Sequence, residues 1–303
     1  MAALLPLPSK SETTLLGHDG AVMCVAFNSD GNYCLSGGQD RTVKLWNPAK
    51  GSLIKTYSAH AHAVLDVATT KDNAKIASVG GDKNGPFYWD VASGRVIRKF
   101  RGHTAKVNAV SFAADDTVLV TGSYDRSVRV WDCRSNSWDP IQSMDPFSDS
   151  VTSVRVKGTD IIAGSVDGTV RTFDLRKGQV LTDHIGQPVT AVALSNDGNC
   201  VLASQLDNRM LLLEKGSGHV LNQYTGHQNS QYQIGAAFTN TDAHVLSGSE
   251  DGEILFWDLV DAKVVHRLQG HAHVVSGVAY HPKVGTVQML SCDVSGKVKL
   301  WTQ

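Results

Sequence analysis

Short runs of apolar and β-branched residues recur along the whole chain, each ending in a turn rich in Gly, Asp, Asn or Ser. In "AVMCVAFNSDGNYCLSGGQDRTVKLWN", residues 21–47, three such runs are separated by Ser-Asp-Gly-Asn and Gly-Gly-Gln-Asp. Runs of this length with tight turns predict antiparallel strands joined as a meander. The 3.6-residue periodicity of an amphipathic helix is absent throughout. The chain is predicted to be all-β.

The runs are copies of one another. "KLWN" ends at Trp46, "FYWD" at Trp89, "RVWD" at Trp131, "RTFD" at Phe173, "LLLE" at Leu213, "LFWD" at Trp257 and "KLW" at Trp301, in steps of 43, 42, 42, 40, 44 and 44 residues. Five units carry a histidine near their start: His18, His60, His103, His227 and His271. A four-stranded meander cannot cover both of its faces, so such units must stack, and radial closure removes the open ends. Seven units at this period resemble the WD-repeat β-propeller over essentially the whole of residues 1–303, read as one unit. The last repeat lacks a fourth strand of its own. "SETTLLGH", before the first repeat, is expected to supply it, with residues 9–16 completing blade seven.

Within the repeats stand the ingredients of a nucleophilic triad: hydroxyl, imidazole and carboxylate. They occur as His18, Ser36, Asp40 and Trp46; as His60, Ser78, Asp82 and Trp89; as His103, Thr121, Asp125 and Trp131; and as His227, Ser247, Asp251 and Trp257. A catalytic triad is needed once, beside one cleft, and four copies around a ring argue for architecture. By resemblance to the WD-repeat family these residues form a tetrad in which Asp accepts from His and from turn amides, while the hydroxyl links His to the indole N–H. Burial then leaves no polar group unpaired.

Some units depart from the pattern. In the second, Asp82 and Trp89 are seven apart, and Gly85-Pro86 in "DKNGPFYWD" predicts a bulge, because proline cannot donate to a ladder. The fourth keeps Asp167 but has Phe147, Ala163 and Phe173 at the other positions. The fifth keeps Asp207 with Ile185, Ala203 and Leu213. Both are expected to replace polar networks with apolar packing. The seventh holds His271, Ser291 and Trp301, with Ser295 where Asp would fall.

The family resemblance also places the exposed rim positions on either side of the first-strand Val and just before the tetrad Asp. Here they include Met23, Leu65, Lys106, Asn108, Tyr124, Leu206, Tyr232 and Glu250. A mixture of Met, Leu and Tyr with isolated charges suits a protein interface, with Tyr124 beside Lys106 and Asn108 as the preferred anchor. The channel is expected to be lined largely by small or apolar residues.

Composition narrows the classes further. Charged residues are 19%, the formal net charge is −1, and no bulk field recruits nucleic acid or an anionic membrane. One stretch is locally basic: Arg95, Arg98, Lys99, Arg101, Lys106, Arg126, Arg129 and Arg134 face only Asp115, Asp116, Asp125 and Asp132. Five cysteines without a C-x-x-C pair argue against a disulfide framework or zinc site and fit a reducing compartment. No phosphate-binding loop, H-E-x-x-H motif or membrane-spanning run is present. No cofactor, metal or sequence-specific nucleic acid is expected, and the protein is expected to be a monomeric propeller within larger complexes.

At the level of whole segments, "GNYCLSGGQDRTVKLWNPAKGSLIKTYSAH", "DVASGRVIRKFRGHTAKVN", "AGSVDGTVRTFDLRKGQ" and "GSEDGEILFWDLV" are similar to the mitogen-activated protein kinase organizer (WD repeat domain-containing protein 83) family. That resemblance implies a non-enzymatic scaffold of cytoplasm and nucleus, assembling MAP-kinase cascade components and accompanying spliceosomal proteins. Substrate recruitment for a ubiquitin ligase is the alternative adaptor reading. A propeller enzyme would need a titratable cluster along the channel.

Overall fold

The computed structural model describes residues 6–82 and 85–303. It contains seven four-stranded antiparallel sheets, the blades of a propeller. The first blade runs Val22–Phe27, Cys34–Gly38, Thr42–Asn47 and Ser52–Ser58, from the channel outwards. Five further blades repeat this order, starting at Val64, Val107, Val151, Val189 and Ala236. The seventh combines Val275–Tyr280, Met289–Asp293 and Val298–Thr302 with Lys10–Leu15, which pairs along the last strand from Lys10↔Thr302 to Leu15↔Val298.

The core lies between blades. Ala77, Val79 and Tyr88 of the second blade pack with Val110, Leu119 and Trp131 of the third. Leu15, Leu290 and Leu300 of the seventh pack with Val22, Val25 and Trp46 of the first. Inner and middle strands are apolar on both sides because each meets a neighbouring sheet on both sides. Outer strands keep only part of that pattern, and pairs such as Leu53 and Ile54 remain exposed.

Six of the seven first strands carry a β-bulge at their start. The register shifts around Met23, Leu65, Asn108, Thr152, Thr190 and Ser276. In the sixth blade the first strand shortens to Ala236–Phe238. In the second, among the described residues, Phe87–Asp90 pairs with the preceding strand without the expected bulge. The ladder begins one residue after Pro86, at Phe87, and the Pro86 carbonyl accepts from the Phe100 N–H at 3.1 Å. The missing N–H of proline is thus placed outside the ladder, which removes the need for a bulge. Lys83 and Asn84 of that insertion lie outside the described residues.

Candidate protein-interaction site

The tetrads set the turns that carry the rim. In the first blade His18 Nδ1–H donates to Asp40 at 2.9 Å, Ser36 Oγ donates to His18 Nε2 at 2.7 Å, and Trp46 Nε1–H donates to Ser36 Oγ at 2.8 Å. The carboxylate admits only this tautomer, since it can only accept. In the second blade the same bonds measure 2.6, 2.7 and 2.8 Å, and in the third 2.8, 2.8 and 3.0 Å. Burial lowers the pKa of His18, His60 and His103, although each aspartate pulls the other way. Burial raises Asp125, but bonds from His103 and Ser127 outweigh it and hold the carboxyl below the usual range.

The glycine before each of three tetrad histidines has a packing reason. A Cβ on Gly17 would stand 3.0 Å from the Trp46 ring, on Gly102 3.3 Å from Trp131, and on Gly270 2.0 Å from Trp301. The indole lies against the backbone of the loop that delivers the histidine.

The sixth blade does not assemble its expected tetrad. Trp257 donates to the Thr225 carbonyl at 2.8 Å, Ser247 to the Gly248 carbonyl at 2.9 Å, and Asp251 caps the Glu253 N–H at 3.0 Å. His227 is buried against Trp257 with no partner on either nitrogen among the described residues, and burial lowers its pKa to about 4. The cause is two extra residues in "GHQNSQYQ". The His–Asp separation is 22 in the first three blades, but 24 here. The longer loop is held otherwise. Glu250 accepts the N–H groups of Ser230, Gln231 and Tyr232 at 2.7, 2.6 and 3.1 Å, and Gln233 donates to the Thr152 carbonyl at 2.8 Å.

The seventh blade is complete by another route. Its carboxylate is Asp293, two residues before Ser295. His271 donates to it at 2.7 Å, Ser291 donates to His271 at 2.6 Å, and Trp301 donates to Ser291 at 2.7 Å. The 22-residue spacing from His271 to Asp293 is the signal that would have found it.

Blades four and five combine apolar packing with ion pairs, so the expected purely apolar replacement is corrected. Phe147 packs on Phe173 at 6.0 Å between centroids, while Arg171 donates to Asp167 at 2.9 Å. Arg209 Nε donates to Asp207 at 2.6 Å, and Gln205 donates to the Ile185 carbonyl at 3.1 Å. In these two blades the aspartate without a histidine keeps a cation instead, which offsets the cost of its partial burial.

The rim divides into exposed and buried positions. Tyr124 is 56% exposed and Tyr232 45%, and Lys106 is exposed. Met23, Leu65 and Leu206 are half-buried. Asn108 is buried, which corrects its placement as an exposed contact. Its amide donates to Ser150 Oγ at 3.0 Å and to the Val151 carbonyl at 2.7 Å. It belongs to a set of bulge residues that reach the next blade: Thr152 donates to the Val189 carbonyl at 2.7 Å and Ser276 to the Val22 carbonyl at 2.6 Å. Glu250 is committed to the loop above and offers little to a partner.

The channel lining is largely small or apolar, with two charges among it. Asp66 accepts the Val110 N–H at 3.0 Å and stands 3.9 Å from Arg155, and burial raises its pKa despite that guanidinium. Among the described residues, no three His, Cys, Asp or Glu side chains gather as a metal-holding group.

Comparison with known proteins agrees with this architecture. The family model WD domain, G-beta repeat matches residues 9–47, 94–132, 176–212, 218–258 and 262–302. The stretches between hold most of blade two, with its proline insertion, and most of blade four, with its phenylalanine pair. WD repeat domain-containing protein 83 of Rattus norvegicus is 47% identical over 98% of this chain and 93% of its own length. The protein of that name from Homo sapiens is 48% identical over the same shares, and the Dictyostelium discoideum homolog is 32% identical over 95% and 97%. The chain belongs to the WD-repeat family, in the group of WD repeat domain-containing protein 83.

Proposed function

We propose that this chain is a non-enzymatic adaptor for multiprotein complexes, serving MAP-kinase cascade components and spliceosomal proteins in cytoplasm and nucleus. The observation that carries the reading is how the reactive groups are used. Every hydroxyl–imidazole–carboxylate set that assembles is closed on its own tryptophan and turn amides, as in His103, Thr121, Asp125 and Trp131. Such a set holds a turn in place and presents what the repeat leaves open, here the exposed ring of Tyr124. Kinship over nearly the full length with WD repeat domain-containing protein 83 supports the same role. The chain acts as one propeller, and the strand at Lys10–Leu15 is the element that keeps the ring shut.

Affinity purification of the full chain with mass spectrometry tests the proposal. Recovery of MAP kinases or splicing factors is the expected result. Cullin adaptors would select ubiquitin-ligase recruitment instead, and recovery of none of these would overturn the partner assignment.

A further inference from the structure

The basic stretch noted in the sequence gathers at the junction of blades two and three. The Arg101 guanidinium lies 4.3 Å from the centroid of the Trp138 ring, and the Arg101 N–H donates to the Trp138 carbonyl at 2.7 Å. The Arg129 guanidinium rests on Gly102, so close that a Cβ there would stand 2.5 Å from Nη1 and 3.3 Å from Pro140. One turn away Lys106 Nζ is 5.2 Å from the centroid of Tyr124, and Arg126 is exposed in the same turn. Trp138 is 49% exposed and Tyr124 56%.

Among the described residues, Arg101, Lys106, Arg126 and Arg129 have no carboxylate within 4.0 Å, whereas Arg134 pairs with Asp132, Arg155 with Asp66 and Arg171 with Asp167. Asp125, the acid nearest to them in the turn, is committed to His103 at 2.8 Å. Cations stacked on aromatic rings are held in place while their N–H edges stay open to an anion.

We propose that this junction is a docking surface for an acidic peptide segment, whose carboxylates or phosphates pair with Arg101, Arg129, Arg126 and Lys106 while its apolar residues meet Trp138 and Tyr124. RNA is the less suitable polyanion. The chain's net charge is −1, too little to hold a phosphate backbone by field, and both rings already carry a cation. The inference rests on the adaptor reading but names one surface and one ligand chemistry.

Selection of a random 12-residue peptide library on the full chain tests it. The expected winners carry two or more Asp or Glu, bind at least tenfold more weakly to Arg101→Glu/Arg129→Glu, and bind unchanged to the control Arg95→Glu. Replacing Glu by phosphoserine in a winner distinguishes a carboxylate site (weaker) from a phosphate site (tighter), and either supports the surface. Winners without acidic residues, equal binding to the double variant at an unchanged melting temperature, no winners, or displacement of a winner by an equimolar uridine 12-mer would each overturn it. Should the double variant unfold, Trp138→Ala replaces it with the same expectation. Failure here with partner capture intact would refute the surface and leave the adaptor role standing.

Discussion

Ser276 Oγ of the seventh blade donates to the Val22 carbonyl of the first at 2.6 Å, joining residues 254 apart in the chain. The bond sits at a β-bulge, and Thr152 and Asn108 make its counterparts between other blades. Ser276→Ala leaves a buried carbonyl short of a donor at the seam of the ring. A loss of about 1–2 kcal/mol is expected in urea unfolding. An unchanged midpoint would show that the seam does not depend on this bond.

Two aspartates at equivalent repeat positions should differ in weight. Asp125 binds His103, the Thr104 N–H and Ser127, with its side chain 7% exposed, whereas exposed Asp251 caps one amide. Asp125→Asn is expected to cost about 2 kcal/mol, the scale for a hydrogen-bonded buried charge, and Asp251→Asn less than about 0.5 kcal/mol. The low pKa of Asp125 adds a pH signature. Its contribution is full above the ordinary aspartate range and disappears as pH falls through the folded value, a step that Asp125→Asn lacks. Equal losses for the two variants would show that the sixth tetrad forms in solution.

This contrast marks how far the sequence could be read. Seven repeats and three tetrads were legible because fixed His–Asp spacing reports a fixed local geometry. The sixth tetrad was expected although its His–Asp separation is 24 residues rather than 22; the signal was there, and what the sequence hid is how Glu250 and Gln233 hold the longer loop. Asn108 was misplaced for a different reason. Its partner is the Val151 carbonyl in the next blade, and contacts between units leave no mark on a within-unit period.

His227 gives a prediction in acid. Burial lowers its pKa to about 4 from 6.5, so the unfolded chain takes up a proton first as pH falls. Stability attached to this group is full above pH 6.5 and declines towards the folded value. Between pH 7 and pH 5 the parent should lose about 2 kcal/mol more than His227→Phe, which does not titrate there. Parallel pH profiles from chemical denaturation would refute the buried neutral imidazole.

Residues 10–15 contribute one strand and the buried Leu15 to the seam between blades seven and one. Deleting residues 1–16 opens the ladder of the last strand and uncovers Leu290, Leu300 and Trp46. Loss of a buried leucine alone is worth about 2–5 kcal/mol, so a large fall in melting temperature is expected. An unchanged transition would mean that the ring holds without this strand.

Tyr124 is the side chain of the third blade's turn that the repeat leaves free. Its N–H donates to the Lys106 carbonyl at 3.0 Å, so the turn is held by the backbone, and the ring stays 56% exposed. Tyr124→Ala should therefore leave the melting temperature unchanged while weakening partner capture by ~2 kcal/mol, about thirtyfold in affinity. Tyr124→Phe keeps the ring and the Lys106 contact, and it should recover most of the loss if the apolar face anchors the partner. Equal capture by the parent and Tyr124→Ala would move the contact surface elsewhere on the ring. A fall in stability instead would return Tyr124 to the architecture, beside Asp125 and Trp131.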